Sequence, residues 1–387
     1  MFNLKDIRPL HIGKFIPPPY AGVEAHVDSL LKSLSPVLDV TLVAGKSSHT
    51  KYRSSYEPCP YRIIQATSFG KFASATLSPG VLTIARNELL SGRSNLLHIH
   101  SPNPWGDLAA LSLPQHIPVV MSWHSDIIRQ KFIMNFYKYI QSRVIQRVDK
   151  IIVATPNHYL SSAQLNQCDI SSKIVSVPYG INFSLLQDIE YDQDFFLEIK
   201  KFANQSPIVL TVGRHVSYKG YSHLLSAFSK IRSGAVLVMI GIGPLTNELM
   251  NLAGELGISS RILFVGEANM KILTAAFRAC DFFCLPSVSQ TEAFGIASAE
   301  AMSFGKPTIV CNLQNGVNYL NKDGVTSIVV EPFSTQDLAN AIDLLANDVV
   351  LRSRMAKQAK KWVESEFSIE AMRNGVLNVY KSLFGVC

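Results

Sequence analysis

Short apolar segments rich in β-branched residues alternate with longer amphipathic segments along the first half of the chain. The short segments are almost continuously hydrophobic, which is typical of strands covered on both faces of a parallel sheet. The longer segments have the periodicity of helices that pack on such a sheet. Seven strands are predicted here: PLHIG (9–13), DVTLVAG (39–45), YRIIQAT (61–67), NLLHIH (95–100), PVVMSWH (118–124), KIIVAT (150–155) and KIVSVP (173–178).

The alternation stops between residues 184 and 206 and then restarts. The interruption is acidic and lacks a strand-like segment, so it indicates a crossover between two domains. Three helical segments, near 335–346, 349–365 and 369–383, end the chain. Six strands are predicted before them: PIVLTVG (207–213), AVLVMIG (235–241), RILFVG (261–266), DFFCLPS (281–287), KPTIVC (306–311) and TSIVV (326–330).

This pattern predicts an α/β protein made of two Rossmann-like, doubly wound parallel-sheet domains. We expect a first domain over 1–183, a linker over 184–206 and a second domain over 207–366. Residues 367–387 are expected to form a helix that returns to the first domain. Ligands of doubly wound sheets lie beyond the carboxyl ends of the strands. We therefore expect a ligand in a cleft across which the two domains face each other.

Composition and charge narrow the class of protein. The 387 residues are 47% hydrophobic and 17% charged, which excludes a disordered, collagen-like or disulfide-framework chain. The net charge of +7 suits an anionic substrate, a nucleic acid or an anionic bilayer, and does not choose among them. The N-terminal segment lacks the apolar run of a secretory signal, and glycines interrupt the longest apolar stretches. The sequence therefore predicts a cytoplasmic protein without a membrane span.

Two features resemble metal sites, and the sequence favours another explanation for each. Cys280 and Cys284 lie in an apolar strand without a second cysteine pair or a histidine nearby. The dispersed cysteines fit a reducing compartment. Asp192 and Asp194 have the DxD spacing that can hold a divalent cation, but they lie in the interdomain stretch rather than after a buried strand. We expect no cofactor and no metal requirement.

The segment TEAFGIASAEAMSFGKP (291–307) carries the most chemical information. It follows a predicted strand, and a helix is expected to begin near Phe294 or Gly295. The amides of Phe294, Gly295 and Ile296 would then be open to an anion, and Gly295 would let a ligand approach the backbone. These positions predict an anion site at the start of the helix.

Two carboxylates flank this helix start. Glu292 precedes it and Glu300 follows eight residues later. Carboxylates are poor neighbours for phosphate and good acceptors for sugar hydroxyls, so a ligand with both groups would fit. Taken alone, either glutamate is better explained by the helix dipole or by solvation.

Two further strand ends carry glycine and charge. Gly213 ends a strand, and Arg214 and Lys219 follow in the loop GRHVSYKG (213–220), where two cations can neutralise a diphosphate. The next strand ends in GIGP (241–244), a glycine turn before a helix.

Taken together, these segments resemble glycosyltransferase family 4, retaining enzymes of the GT-B fold that take sugars from nucleotide donors. The resemblance spans nearly the whole chain in the family's order. The matching segments are PPPYAGVEAHV (17–27), SWHSDI (122–127), PYGIN (178–182), GRHVSYKG (213–220), GIGP (241–244), FVGEA (264–268), PSVSQTEAFGIASAEAMSFGKP (286–307) and NKDGVTSIVV (321–330).

The resemblance implies donor-binding roles in the second domain. Glu292 would bind the hydroxyls of the transferred sugar, and Glu300 would bind the ribose hydroxyls. Arg214 and Lys219 would bind the diphosphate. The other implied donor contacts are Gly241, Gly266, Glu267, Phe294, Gly295 and Ile296.

In the first domain the resemblance implies three positions. Gly22 belongs to a loop that closes over donor and acceptor, where the family usually has a second glycine and this chain has Ala21. His124 would be catalytic and hydrogen-bond the transferred sugar. Asp126 either orients the acceptor or caps the following helix. No carboxylate is assigned as a covalent nucleophile, because the family's retention is explained by front-face attack, with the departing phosphate taking the acceptor's proton.

The sequence therefore predicts a hexosyltransferase that uses a GDP- or UDP-linked sugar. Segments such as SWHSDIIRQK and SPNPWGDLAAL are most similar to bacterial surface-polysaccharide and O-antigen enzymes, which favours GDP-mannose and a saccharide acceptor linked to polyprenyl diphosphate. A UDP-sugar-dependent glucosyl-, N-acetylglucosaminyl- or galactosyltransferase is the alternative. A cofactor-dependent phosphorylase would need a pyridoxal-binding lysine. A nucleotide- or nucleic-acid-binding protein would leave Glu292 and Glu300 unexplained, so we expect no nucleic acid partner.

The segment 129–150 combines six cations with four aromatic residues at helical spacing. Such a helix can lie in an anionic headgroup layer, which would place the enzyme peripherally on the cytosolic face of a membrane. An ordinary helix with a solvated basic face explains the composition equally well.

Overall fold

The chain folds into two compact units, each described here by itself. Unit 1 comprises Met1–Gly180 and Ile369–Cys387, and unit 2 comprises Ile181–Ser368. The computed structural model describes residues 3–15, 22–45, 59–72, 75–124, 131–165, 170–292 and 294–386.

Unit 1 is built on a seven-stranded parallel sheet with the strand order β3-β2-β1-β6-β7-β8-β9. The sheet strands are β1 (Pro9–Ile12), β2 (Thr41–Gly45), β3 (Arg62–Ala66), β6 (Leu96–Ser101), β7 (Val119–Trp123), β8 (Lys150–Val153) and β9 (Ile174–Ser176), and β4 (Lys71–Phe72) pairs with β5 (Ala75–Thr76) in a separate hairpin. The helices are α1 (Gly22–Leu34), α2 (Gly80–Leu90), α3 (Pro104–Ser112), α4 (Lys131–Arg147), α5 (Pro156–Ser161) and α15 (Ile369–Phe384).

Both faces of this sheet are covered, which explains the continuous apolar strands. Successive side chains of a strand point to opposite faces. Leu97 and Ile99 of β6 therefore belong to one hydrophobic cluster, while Leu96 belongs to a second cluster that includes residues of α1 and α15. On this second face, the apolar pattern of β6 is interrupted by two buried histidines, His98 and His100.

Unit 2 contains a six-stranded parallel sheet with the order β12-β11-β10-β13-β14-β15, and the strand order reverses between β10 and β13. Its strands are β10 (Ile208–Val212), β11 (Val236–Ile240), β12 (Ile262–Gly266), β13 (Phe282–Leu285), β14 (Thr308–Cys311) and β15 (Ser327–Val330). Its helices are α6 (Ser184–Gln187), α7 (Gln193–Ala203), α8 (Tyr221–Phe228), α9 (Thr246–Glu255), α10 (Met270–Ala279), α11 (Ile296–Ser303), α12 (Gly316–Leu320), α13 (Thr335–Asn347) and α14 (Val349–Glu366).

Each strand segment predicted from the sequence coincides with a strand of one of the two sheets. The β4–β5 hairpin was not predicted, because it is only two residues long on each side. Within the described part of the chain, no helix has the length and apolarity needed to cross a bilayer.

The segment 184–206 differs from the predicted linker, because it folds onto unit 2. Ile199 and Ala203 of α7 are buried in the core of that unit. The acidic composition belongs to the outer side and the start of the helix, where Asp192 accepts a hydrogen bond from the Phe195 amide at 2.9 Å. The first aspartate of the DxD spacing is therefore the N-terminal cap of α7.

The C-terminal helix α15 lies in unit 1. Met372, Val376 and Tyr380 are buried there, in the hydrophobic cluster that also contains residues of α1. The boundaries of unit 2 consequently fall at Ile181 and Ser368, whose backbones pair with each other in a parallel bridge.

Candidate functional site

Glycines end three neighbouring strands of unit 2, and their backbones are in direct contact. The Gly213 amide donates to the Ile240 carbonyl at 3.0 Å, and the Gly241 amide donates to the Gly266 carbonyl at 2.8 Å. A Cβ atom on Gly241, whose φ is +136°, would lie 2.0 Å from the Gly213 carbonyl oxygen. These glycines were predicted to contact a donor. Their structural role is to let the loops after β10 and β11 pack closely against each other.

The loop after β10 also docks on the loop after β13. Gly220 has a φ of +69°, and a Cβ atom there would lie 2.0 Å from the Pro286 carbonyl oxygen. The Val288 amide donates to the Tyr218 carbonyl at 2.9 Å. This contact carries Lys219, which precedes Gly220, to the carboxyl end of β13.

Lys219 and Glu292 form a largely buried ion pair at this position. The Lys219 Nζ donates to Glu292 Oε2 at 2.5 Å, and the two side chains are 13% and 12% exposed. The Ser287 hydroxyl donates to the same carboxylate oxygen at 3.0 Å, and the Asn315 side-chain amide donates to the Glu292 carbonyl at 2.7 Å. The sequence analysis assigned Lys219 to the diphosphate and Glu292 to the sugar hydroxyls. In the structure the two side chains contact each other.

Two polar groups close to this cluster were not identified from the sequence. The hydroxyl of Tyr221 lies 2.7 Å from the position of a Cβ atom on Gly213. The Nδ1 atom of His215 forms a 2.9 Å hydrogen bond with the Thr246 hydroxyl. Burial lowers the pKa of the His215 imidazole. Within the described part of the chain, His215 Nε2 has no hydrogen-bond partner. A polar residue in the loop after a buried strand was the available signal for His215, whereas Tyr221 is the first residue of α8.

Two predicted donor residues lie on the surface. Arg214 follows Gly213 and is exposed, and so is Glu267 after β12. An exposed arginine in the same loop as Lys219 is compatible with binding a diphosphate. Among the described residues, the ion pair of Glu292 is with Lys219.

Helix α11 begins at Ile296, one to two residues later than the sequence indicated. Gly295 caps it in the left-handed conformation with a φ of +76°, and a Cβ atom there would lie 2.8 Å from Leu285 Cδ2. Phe294 is buried, with its ring 5.5 Å from that of Phe367. The aromatic side chain therefore anchors the turn in the core, and the exposed Ile296 begins a helix whose first amides lack helical partners.

Glu300 lies within α11 and is half-buried. Burial raises the pKa of its carboxyl group to about 7. Near neutral pH this side chain can consequently be either a carboxylic acid or a carboxylate, which changes its capacity to accept hydrogen bonds.

In unit 1, His124 follows the end of β7 and is half-buried. Its Nε2 lies 3.1 Å from His100 Nδ1, and its Nδ1 lies 2.9 Å from the Tyr179 hydroxyl. Gly22 is the first residue of α1. Asp126 lies outside the described residues, so its two predicted roles stay open.

The basic segment 129–150 is only partly available to a lipid. Arg147, with 6% of its side chain exposed, donates to the carbonyls of Pro114 and Ile117. Lys150 belongs to β8 and donates to the Ser172 carbonyl. Two of the six cations thus stabilise the fold, and the lipid contact stays a prediction.

The chain matches two family models. One, described as glycosyl transferases group 1, matches residues 192–362, and the other, described as glycosyltransferase family 4, matches residues 20–185. The chain is 28% identical to O-antigen chain mannosyltransferase C from Escherichia coli, over 97% of this chain and 99% of that protein.

Solved structures show the same fold. A glycosyltransferase from Rickettsia africae superposes with a TM-score of 0.74 at 19% identity, covering 98% of both chains. HepE from Anabaena, solved in complex with UDP, has a TM-score of 0.74 at 17% identity, covering 97% of this chain and 100% of that one.

Two Rossmann-type units in series, each built on a parallel sheet, define the GT-B fold. The chain belongs to the glycosyltransferases of the family 4 type, and it is a transferase.

The loop contact at Gly220 yields a stability prediction. Gly220→Ala should lower the free energy of unfolding by about 3 kcal/mol or more, because the methyl group meets the Pro286 carbonyl. Gly234→Ala is the matched control, since Gly234 has the same φ of +69° but no atom within 4 Å of its Cβ position, and should cost about 1 kcal/mol. Urea unfolding of both variants measures the difference, and equal losses would contradict the close contact.

The raised pKa of Glu300 yields a pH prediction. If Glu300 binds ribose hydroxyls, deprotonation provides the stronger acceptor, so nucleoside diphosphate affinity should rise as the pH increases through about 7. We expect about a fivefold gain, or ~1 kcal/mol. Calorimetric titration between pH 6 and 8 measures it, with Glu300→Gln as the control for titration of the ligand. A variant with the same pH dependence as the wild type would exclude this role.

Proposed function

We propose that this chain is a retaining hexosyltransferase that moves mannose from GDP-mannose to a saccharide acceptor carried on polyprenyl diphosphate, in the synthesis of a cell-surface polysaccharide. The similarity to an O-antigen chain mannosyltransferase, which extends over nearly the full length of both proteins, supports this choice of sugar and pathway class.

The observation that carries the proposal is the Lys219–Glu292 ion pair. A nucleotide-sugar presents a diphosphate beside a sugar ring, so it offers an anion for the lysine and hydroxyl groups for the glutamate. Each charge is kept paired in the protein, because a buried unpaired charge is costly. In the proposed complex, the diphosphate oxygens accept from the Lys219 ammonium group while the sugar hydroxyls donate to the Glu292 carboxylate.

This arrangement suits the departure of a diphosphate. Negative charge grows on the leaving group as the bond to the sugar breaks. Lys219 and Arg214 oppose that charge directly, and the first amides of α11 add hydrogen-bond donors and the positive end of the helix dipole. The leaving phosphate takes the proton of the acceptor hydroxyl, which attacks the same face of the sugar, so the reaction needs no covalent nucleophile and, in this proposal, no metal.

Unit 1 supplies the acceptor side of the proposal. His124 contacts the transferred sugar through a ring nitrogen. The residues that contact the base are main-chain groups near Gly266 and Glu267, with Glu300 at the ribose.

A UDP-linked sugar is the alternative donor, and binding measurements separate the two. Thermal unfolding should shift upward with GDP and GDP-mannose, because a ligand that binds only the folded state stabilises it by an amount set by its excess over its Kd. At a hundredfold excess the gain is about 2.7 kcal/mol. UDP and UDP-sugars at the same concentration serve as the comparison. A larger thermal shift with UDP than with GDP would show that the donor is a UDP-sugar.

The proposed roles of the ion pair predict that substituting Glu292 affects turnover, whereas substituting Lys219 affects nucleotide binding. Glu292→Gln keeps the shape of the side chain and removes its charge, so turnover should fall about a hundredfold, or ~3 kcal/mol, while nucleoside diphosphate affinity is unchanged or higher. Lys219→Met should instead weaken nucleoside diphosphate binding. Steady-state transfer assays and calorimetry measure the two effects. Glu255→Gln, an exposed glutamate of α9, is the control.

Wild-type turnover in a folded Glu292→Gln variant would remove Glu292 from the reaction. Unaltered nucleotide affinity in both Lys219→Met and Arg214→Ala would remove the diphosphate site from this loop.

A further inference from the structure

A row of imidazole rings, three of them buried, crosses three adjacent strands of unit 1. His11 lies on β1, His98 and His100 lie on β6, and His124 follows β7. The rings of His98 and His100 stack with centroids 4.7 Å apart, and those of His100 and His124 stack at 5.4 Å. His11, His98 and His100 are at most 2% exposed. A row of polar rings on an otherwise apolar sheet face needs a physical explanation.

Hydrogen bonds join these rings and three hydroxyl groups into a single line, the histidine chain. It starts at Ser122 on β7, passes through Tyr380 of α15 and ends at Tyr179. The contacts in order are Ser122 Oγ to His98 Nε2 (2.8 Å), His98 Nδ1 to Tyr380 Oη (2.6 Å), Tyr380 Oη to His11 Nε2 (3.1 Å), His11 Nδ1 to His100 Nε2 (3.0 Å), His100 Nδ1 to His124 Nε2 (3.1 Å) and His124 Nδ1 to Tyr179 Oη (2.9 Å).

Within the histidine chain, the tautomer of each ring depends on the tautomers of its neighbours. A neutral imidazole has one N–H donor and one acceptor nitrogen, and each hydroxyl has one proton. If every contact holds one proton, all the donors must therefore point the same way along the chain. Burial lowers the pKa values of His11, His98 and His100 well below 6.5, which keeps these three rings neutral at pH 7.

The inner end decides the direction. With donors pointing outward, the Ser122 hydroxyl donates to His98 Nε2, each of the six contacts holds one proton, and His124 donates from Nδ1. With donors pointing inward, His98 Nε2 donates to Ser122, and the Ser122 proton has no acceptor among the hydrogen bonds of the described residues. Ser122 is only 4% exposed, so water does not readily compensate. The outward direction is therefore favoured.

One further titratable side chain, that of His26, lies near His124 and Tyr179, and it does not change the favoured direction. His26 of α1 lies with its ring centroid 4.4 Å from that of Tyr179 and 5.3 Å from that of His124. Burial lowers its pKa to about 4, so it brings no charge near pH 7.

A metal site is a weaker explanation of the same histidines. His11, His98 and His100 are close enough that one nitrogen of each lies within 4.8 Å of the others. Nitrogen lone pairs lie in the ring planes, however, and the rings of His98 and His100 are within 13° of parallel. Their lone pairs therefore do not converge on one tetrahedral centre, and the nitrogens already face hydrogen-bond partners.

We propose that Ser122, His98, Tyr380, His11 and His100 are positioning residues that hold His124 as the neutral Nδ1–H tautomer. His124 then acts toward a substrate as a hydrogen-bond donor, and a sugar oxygen that takes the place of the Tyr179 hydroxyl accepts that bond. The functional part of this inference rests on the proposed contact between His124 and the transferred sugar. The tautomer itself does not depend on that contact.

Nuclear magnetic resonance of the full-length protein labelled with ¹⁵N-histidine tests the tautomer directly. Two-bond proton–nitrogen correlations distinguish a protonated from an unprotonated ring nitrogen, and the spectrum of His124→Gln assigns the His124 signals. We expect a protonated Nδ1 and an unprotonated Nε2 at pH 7.5. A protonated Nε2, an average of the two tautomers or an imidazolium would overturn the proposal.

Variants test whether the chain sets this tautomer. Tyr380→Phe removes the hydroxyl that links His98 to His11, and Ser122→Ala removes the inner donor, so both should convert His124 to a mixture of tautomers. Turnover should fall about fivefold to tenfold in both, with KM for the donor within twofold of wild type. Ser122→Thr keeps the hydroxyl and should restore the single tautomer.

Each alternative result has a separate meaning. If Tyr380→Phe does not fold, as judged by circular dichroism, Ser122→Ala and Ser122→Thr still make the comparison. A single Nδ1–H tautomer that survives both hydroxyl deletions would overturn the role of the chain. Full turnover in His124→Gln, with the wild-type tautomer as expected, would refute the proposed sugar contact and leave the tautomer assignment intact. If the purified protein contains stoichiometric zinc and the His11→Gln variant does not, these histidines form a metal site and the proposal is wrong.

Discussion

Close contact between backbones at the carboxyl edge of the unit 2 sheet determines where its charged side chains lie. Gly241 packs on Gly213, and Gly220 packs on Pro286, at distances that leave no space for a Cβ atom. These contacts bring the loop after β10 against the loop after β13. Lys219 and Glu292, which are 73 residues apart in sequence, meet as a consequence.

The Lys219–Glu292 pair and the histidine chain are two different arrangements of polar groups. In unit 2, two opposite charges meet in a site that is largely shielded from water, and Ser287 adds a hydrogen bond to the carboxylate. Such a pair is sensitive to any ligand that offers a better partner to either charge. In the histidine chain of unit 1, the polar groups are imidazole rings and hydroxyls, whose cost of burial is offset by mutual hydrogen bonds. Their constraint concerns proton positions rather than charge.

Local patterns in the sequence predicted most of the fold, and the exceptions have physical causes. A strand covered on both faces is recognisable by its apolar run, as in β11 and β13. Helix α7 was interpreted as a linker because its acidic residues are conspicuous, whereas the few buried positions that attach it to the core, such as Ile199, are ordinary for any amphipathic helix. The start of α11 depends on the buried Phe294, whose packing partner Phe367 is distant in sequence.

The sequence by itself determined the two sheets, the glycine-rich strand ends and the chemical types available for a nucleotide-sugar, because each depends on periodicity or on residues adjacent along the chain. Tertiary structure alone decided that Lys219 pairs with Glu292, that Arg147 binds carbonyls inside the fold, and that four histidines form one line. Those facts depend on which strand ends and side chains become neighbours in space. Strand order and loop packing set these relations, and a linear pattern does not contain them.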